Sequence, residues 1–140
     1  MIRAAVVDTG PLVALLDENE RHHHWAADCV QRLETPLLVC EPVLSEAMYL
    51  LSDLSDAQDE VYRLLETGAL RIALRVDEHL PGLRALQKKY RDRPMSFADA
   101  CVVRMSELFE RHCVFTLDSD FAIYRKNGRQ PLELICPPSK

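Results

Sequence analysis

Four acidic residues stand at places where a folded core would ordinarily exclude them. Asp8 interrupts the apolar run "AAVVDTGPLVALL", and Asp118 follows another such run in "VFTLDSDF", with Asp120 two residues on. Glu46 lies inside "CEPVLSEAMYLL" and Asp99 inside "RPMSFADACVVRM". A carboxylate next to core-forming segments is costly unless water, a hydrogen-bond donor or a cation receives it. Each of the four also has a purely structural explanation. Asp8 could cap a helix begun through Pro11, and Asp118 or Asp120 could serve a turn or the cap of a short helix near Phe121. Glu46 could be a solvated residue at the flank of the apolar stripe Val43, Ala47, Leu50, Leu51 and Leu54. Ser96 and Asp99 have the S-x-x-D spacing of a capping box.

Together the four describe a different chemistry. Clustered carboxylates without cations repel and raise one another's pKa. Oxygen ligands with no paired His or Cys set suit Mg²⁺ or Mn²⁺ rather than zinc. Such ions keep several waters and bind the phosphates of a substrate. The chemistry implied is metal-assisted phosphoryl hydrolysis.

The elements that would position these acids alternate in type. Candidate strands are "AAVV" before Asp8, Pro36–Cys40, Leu70–Leu74, Cys113–Leu117 and Leu132–Ile135. Between them run amphipathic stretches of 3.6-residue period, at about 24–33, 42–54, 56–66, 78–90 and 97–109. This alternation predicts one α/β domain, residues 1–140, with a five-stranded, mostly parallel sheet. In such sheets ligands collect beyond the carboxyl ends of the strands, near a topological switch point. Asp8 and Asp118 each follow a strand and so reach the same edge; Glu46 and Asp99 lie on helices feeding it.

The motifs "VVDTGPLVALL", "SEAMYLL", "SFADACVV" and "VFTLDSDF", in this order and over essentially the whole chain, resemble the PIN-domain family, and within it the VapC-type toxin ribonucleases. The resemblance implies a three-layer α/β/α sandwich and an acidic site of Asp8, Glu46, Asp99 and Asp118 holding one or two Mg²⁺ or Mn²⁺ ions, with Asp120 a further, more variable acid. Thr9, Thr116 and Ser96 match hydroxyl positions that orient the carboxylates, Thr9 being placed to steady Asp8. The implied activity is hydrolysis of RNA phosphodiesters by a metal-activated water. A small antitoxin partner and a homodimer are common in that family.

Bulk properties are compatible with this. The chain has 140 residues, 48% apolar and 28% charged, and a net charge of −5. An acidic balance argues at first against nucleic-acid binding. Setting the four acids aside, however, leaves 18 of the 22 against 17 Lys and Arg. Basic contacts for RNA are offered by "QKKYRDR" (Lys88, Lys89, Arg91, Arg93) and "YRKNGR" (Arg125, Lys126, Arg129), with Tyr90 or Tyr124 as stacking faces. The five scattered cysteines form no C-x-x-C pair and read as buried, reduced thiols. No apolar run is long enough for a membrane span, and the first residues lack signal-peptide character, so a cytosolic protein is expected. In "RHHHW" the three adjacent His cannot all grip one ion, because neighbouring helical residues diverge; a helix-entry segment near the active-site mouth, or packing by His24 and Trp25, is the expected role.

Two other readings compete. A haloacid dehalogenase-like phosphatase would need a second Asp where Gly10 stands, and a receiver-like domain would need its acceptor near the third strand, where only Asp77 is close. A catalytically idle PIN-like module that binds RNA or protein is the alternative of another class.

Overall fold

The computed structural model describes residues 3–93 and 95–138. Its first strand, β1 (Ala4–Val7), is apolar and buried along its whole length. That is the signature of a parallel strand covered on both faces. It pairs in parallel with β2 (Leu37–Val39) on one side and β4 (His112–Phe115) on the other. β3 (Leu70–Ile72) adds to β2, and β7 (Leu134–Ile135) adds to β4, both in parallel. The sheet order is β3-β2-β1-β4-β7.

Among the described residues six α-helices flank this sheet: α1 (Thr9–Leu16), α2 (His23–Gln31), α3 (Glu41–Leu50), α4 (Ser55–Thr67), α5 (Leu80–Lys89) and α6 (Phe97–Leu108). The α/β sandwich expected from the sequence is therefore present, with a sheet parallel throughout. The chain moves outward from β1 through β2 to β3, then returns to lay β4 and β7 on the opposite side. The order reverses between β1 and β4, which makes that crevice the topological switch point.

Helix α6 explains how acids from helices reach this crevice. Its small and branched residues Ala98, Ala100, Cys101, Val102, Val103 and Met105 are all buried, so it packs on several sides at once, against β1, β4, α3 and α5. Full burial of each larger side chain contributes about 1.5–3 kcal/mol. The helix begins at a capping box, so its first turn stands at a defined height beside the strand ends.

Several boundaries differ from the sequence reading. α3 stops at Leu50, so Leu50 is 59% exposed and Leu54 37% exposed rather than completing the apolar stripe; Val43, Ala47 and Leu51 are its buried members. α5 begins at Leu80, behind a 3₁₀ turn at Val76–Glu78 that takes in Glu78, the residue expected to open the helix. Cys40, Cys101 and Cys113 are buried and reduced, whereas Cys136 is exposed. A small antiparallel hairpin, β5 (Arg125–Lys126) with β6 (Gln130–Pro131), was not anticipated. Its turn requires positive φ at Asn127 (52°) and Gly128 (84°), the pair of residues that tolerates this conformation best.

Candidate active site

Asp8 directly follows β1 and extends the ladder, its N–H donating to the Phe115 carbonyl at 2.9 Å. It occupies the position before α1, yet its side chain makes no capping hydrogen bond to that helix. Instead Oδ2 accepts from the Thr116 hydroxyl at 2.8 Å, across the crevice from β1 to β4. Asp8 is 7% exposed and Thr116 is fully buried. The carboxyl is pushed up to about 6, chiefly by burial and further by the charges of Asp99 and Asp118, against the lowering effect of the Thr116 hydroxyl and the Thr9 amide. The purely structural role of Asp8 as a helix cap is therefore not what this geometry shows.

Thr116 does two jobs with one oxygen. While donating to Asp8 it accepts the backbone N–H of Asp118 at 2.9 Å. Asp118 lies three residues beyond the end of β4, not at the strand terminus, and its Oδ1 accepts from the Asp120 N–H at 2.9 Å. It thus caps the short 3₁₀ turn Ser119–Ala122 while projecting beside Asp8.

The two helix-borne acids are held by hydroxyls as well. Thr9 donates to Glu46 Oε1 at 2.8 Å, so this hydroxyl steadies Glu46 on α3 rather than Asp8. The reason is directional: in the first turn of α1 the Thr9 side chain faces α3, and its backbone amide serves Asp8. Asp99 completes the capping box, with its Oδ2 accepting the Ser96 N–H at 3.1 Å and its own N–H donating to Ser96 Oγ at 3.0 Å. Tyr124 also donates its hydroxyl to Asp99 Oδ2, at 3.4 Å. Burial and the Asp118 and Glu46 charges raise the Asp99 carboxyl, opposed by the hydrogen bonds to Ser96.

Asp8, Thr9, Gly10, Glu46, Asp99, Leu117 and Asp118 line one open cavity of about 270 Å³. Asp120 does not line it; it contributes its backbone N–H to Asp118. Gly10 is required by close approach, since a Cβ there would lie 3.1 Å from the Leu117 side chain. None of the ion pairs among the described residues involves the four acids. Among the described residues no three His, Cys, Asp or Glu side chains already converge closely enough to enclose an ion. The donor set nonetheless suits a hard divalent cation: all-oxygen, partly desolvated, mutually repelling and without a basic partner.

The aromatic and basic candidates divide differently from the sequence reading. Tyr90 and Tyr124 are buried, so neither is a stacking face. Tyr124 is instead an orienting residue for Asp99, its hydroxyl kept protonated by burial and by the surrounding carboxylates. No sequence signal marked it. Tyr90 accepts the Arg125 N–H at 2.8 Å and so anchors the hairpin. Lys89 donates to the Gly128 carbonyl at 2.8 Å, and the Arg125 guanidinium bonds the carbonyls of Ala122, Ile123 and Tyr124. In "RHHHW", Trp25 packs on Phe115 at 5.4 Å between rings and His23 bonds the Ala14 carbonyl, while His24 is exposed rather than packed.

Comparison with known proteins bears on this arrangement. The family profile of the PIN domain matches residues 5–127. Among solved structures, VapC20 of Mycobacterium tuberculosis, a sarcin–ricin loop-cleaving toxin, has a similar fold, with a TM-score of 0.74 at 19% identity over 86% of this chain and 94% of that one. No curated protein sequence matches the chain.

Proposed function

The chain belongs to the PIN domain family, and from that premise we propose that it is a divalent-metal-dependent endoribonuclease acting as the toxin of a toxin–antitoxin pair. The observation that carries this reading is one cavity at the β1/β4 switch point, lined by four carboxylates that come from four separate segments of the chain and have no ion-pair partner among the described residues. The fold likeness to a toxin that cleaves the sarcin–ricin loop supports RNA as the substrate.

Asp8, Glu46, Asp99 and Asp118 would hold one or two Mg²⁺ or Mn²⁺ ions. When bound, such an ion polarises a scissile phosphate and lowers the pKa of an attacking water. The chain's own residues set the geometry. Thr116 fixes Asp8 through Oδ2, and Ser96 with Tyr124 fixes Asp99 through its Oδ2. Thr9 and the Asp120 amide hold Glu46 and Asp118 by one oxygen each. The burial that raises the Asp8 carboxyl makes it the ligand with most to gain from a cation, because a positive charge relieves both desolvation and repulsion. A small antitoxin protein and a homodimeric assembly complete the proposal.

The test compares wild type with Asp8→Asn on single-stranded and structured RNA, in Mg²⁺, Mn²⁺ or EDTA. Metal-dependent cleavage by the wild type, lost in a folded Asp8→Asn chain, is the expected result. Equal cleavage by the variant would sink the mechanism, and RNA binding without cleavage in any metal would make the protein a binding module.

A further inference from the structure

A second groove, of about 470 Å³, runs between α5 and the start of α6. Its walls carry Arg84, Lys88 and Arg91 together with Leu80, Leu83 and Phe97, and no acidic side chain lines it. The three cations are exposed, and none takes part in the ion pairs among the described residues. In a chain of net charge −5 this is a local reversal of sign. The macrodipole accounts for Lys88 in the last turn of α5, but not for Arg84 a turn earlier or Arg91 beyond its end. Arg84 and Lys88 are four residues apart and so share one face of the helix.

Phe97 gives the groove its direction. It is 44% exposed at the first position of a helix whose next residue, Ala98, is buried. The same turn of α6 carries Asp99 into the carboxylate cavity, so the groove and the cavity open on different sides of the tip of one helix. Cationic side chains with one exposed aromatic face are what a single nucleic-acid strand needs: charge for phosphates and a platform for an unpaired base.

We propose that this groove is the track for single-stranded RNA, with Arg84, Lys88 and Arg91 holding phosphates and Phe97 stacking a base beside the carboxylate cavity. The proposal rests on the ribonuclease reading and adds the substrate path that it leaves open. Tyr90 and Tyr124, buried beneath the surface, take no part.

Binding is measured separately from cleavage. The Asp8→Asn chain in EDTA is titrated against a fluorescein-labelled twelve-nucleotide RNA of mixed sequence, by anisotropy, over a range of salt. In that background Arg84→Ala/Lys88→Ala/Arg91→Ala is expected to weaken binding at least tenfold. It should also make the slope of log K against log salt shallower by about 2, as loss of three phosphate contacts to a single strand requires. Phe97→Leu keeps the bulk but loses the flat face; it should weaken binding about tenfold with the slope unchanged, and Phe97→Trp should restore it. Arg63→Ala, on α4 and paired with Glu60, should change neither quantity. Unchanged affinity and slope in the triple variant would overturn the track, as would equal losses in Arg63→Ala. So would tighter capture of a polyglutamate probe of equal charge, with Phe97→Leu neutral, since the groove would then suit an acidic peptide. If wild type cleaves RNA while the triple variant binds it normally, the track fails and the nuclease stands. If the triple variant loses binding while wild type cleaves nothing, the nuclease fails and the track stands.

Discussion

Asp8 and Asp99 face the same cavity, but they stand in opposite relations to the fold. Asp99 belongs to a helix terminus and accepts a backbone N–H that would otherwise lack a partner. Its side chain serves the α6 terminus whether or not a cation arrives, although burial and the neighbouring charges raise its carboxyl too. Asp8 has a capping position and does not cap; it is desolvated and beside like charges, with Thr116 as the side chain that holds it. In the ion-free fold its ionised form is a cost without structural return. The contrast separates a residue with a structural task of its own from one whose burial the fold alone does not offset.

Asp8→Asn tests the contrast most severely, since its two effects should run in opposite directions. RNA cleavage should fall at least a hundredfold, about 3 kcal/mol in the barrier. The native carboxyl titrates near 6 against a usual value of 3.8, so between these pH values the folded chain holds more protons than the unfolded one. Stability in EDTA therefore declines as pH rises through that window, by about 3 kcal/mol in total. Urea denaturation at pH 4 and pH 7.5 should show this decline in the wild type and a much smaller one, from the raised Asp99, in Asp8→Asn, which becomes the more stable chain at the higher pH.

Thr116→Val removes the donor of Asp8 and the acceptor of the Asp118 amide together. A loss of about 2 kcal/mol is expected at pH 7.5, with less at pH 4 where Asp8 is protonated. A pH-independent loss would show that Thr116 matters for packing alone. Ser96→Ala addresses the other side of the contrast: the cap should cost about 1 kcal/mol at any pH, and cleavage should change far less than in Asp8→Asn. The smallest effect is expected from Thr9→Val, within about 0.5 kcal/mol in thermal unfolding, because its partner Glu46 is exposed and can be solvated instead. A larger loss there would mean that Glu46 is held for the fold and would blur the distinction.

The acids themselves were legible in the sequence because each breaks a local pattern: an apolar strand that ends in Asp, a helix stripe flanked by Glu, an S-x-x-D spacing. Which hydroxyl serves which acid was not. Thr9 sits beside Asp8 in sequence but reaches Glu46 on another helix, and Asp8 takes its partner from Thr116 on β4. Those pairings depend on side-chain directions fixed only once β1, α3 and β4 are packed. The roles of Tyr90 and Tyr124 were hidden for a related reason, since a tyrosine among charges reads as a surface residue until a hairpin folds over it. The end of α3 at Leu50 was obscured because the apolar period runs on through a turn.

The shared oxygen of Thr116 turns the backbone into an indicator for the site. Its hydroxyl donates to Asp8 while its lone pair receives the Asp118 amide proton. A charge gained or lost on Asp8 polarises that hydroxyl and must be felt at the amide. A nitrogen-15 spectrum followed through a titration would thus register the electrical state of a buried carboxylate at a single, assignable cross-peak.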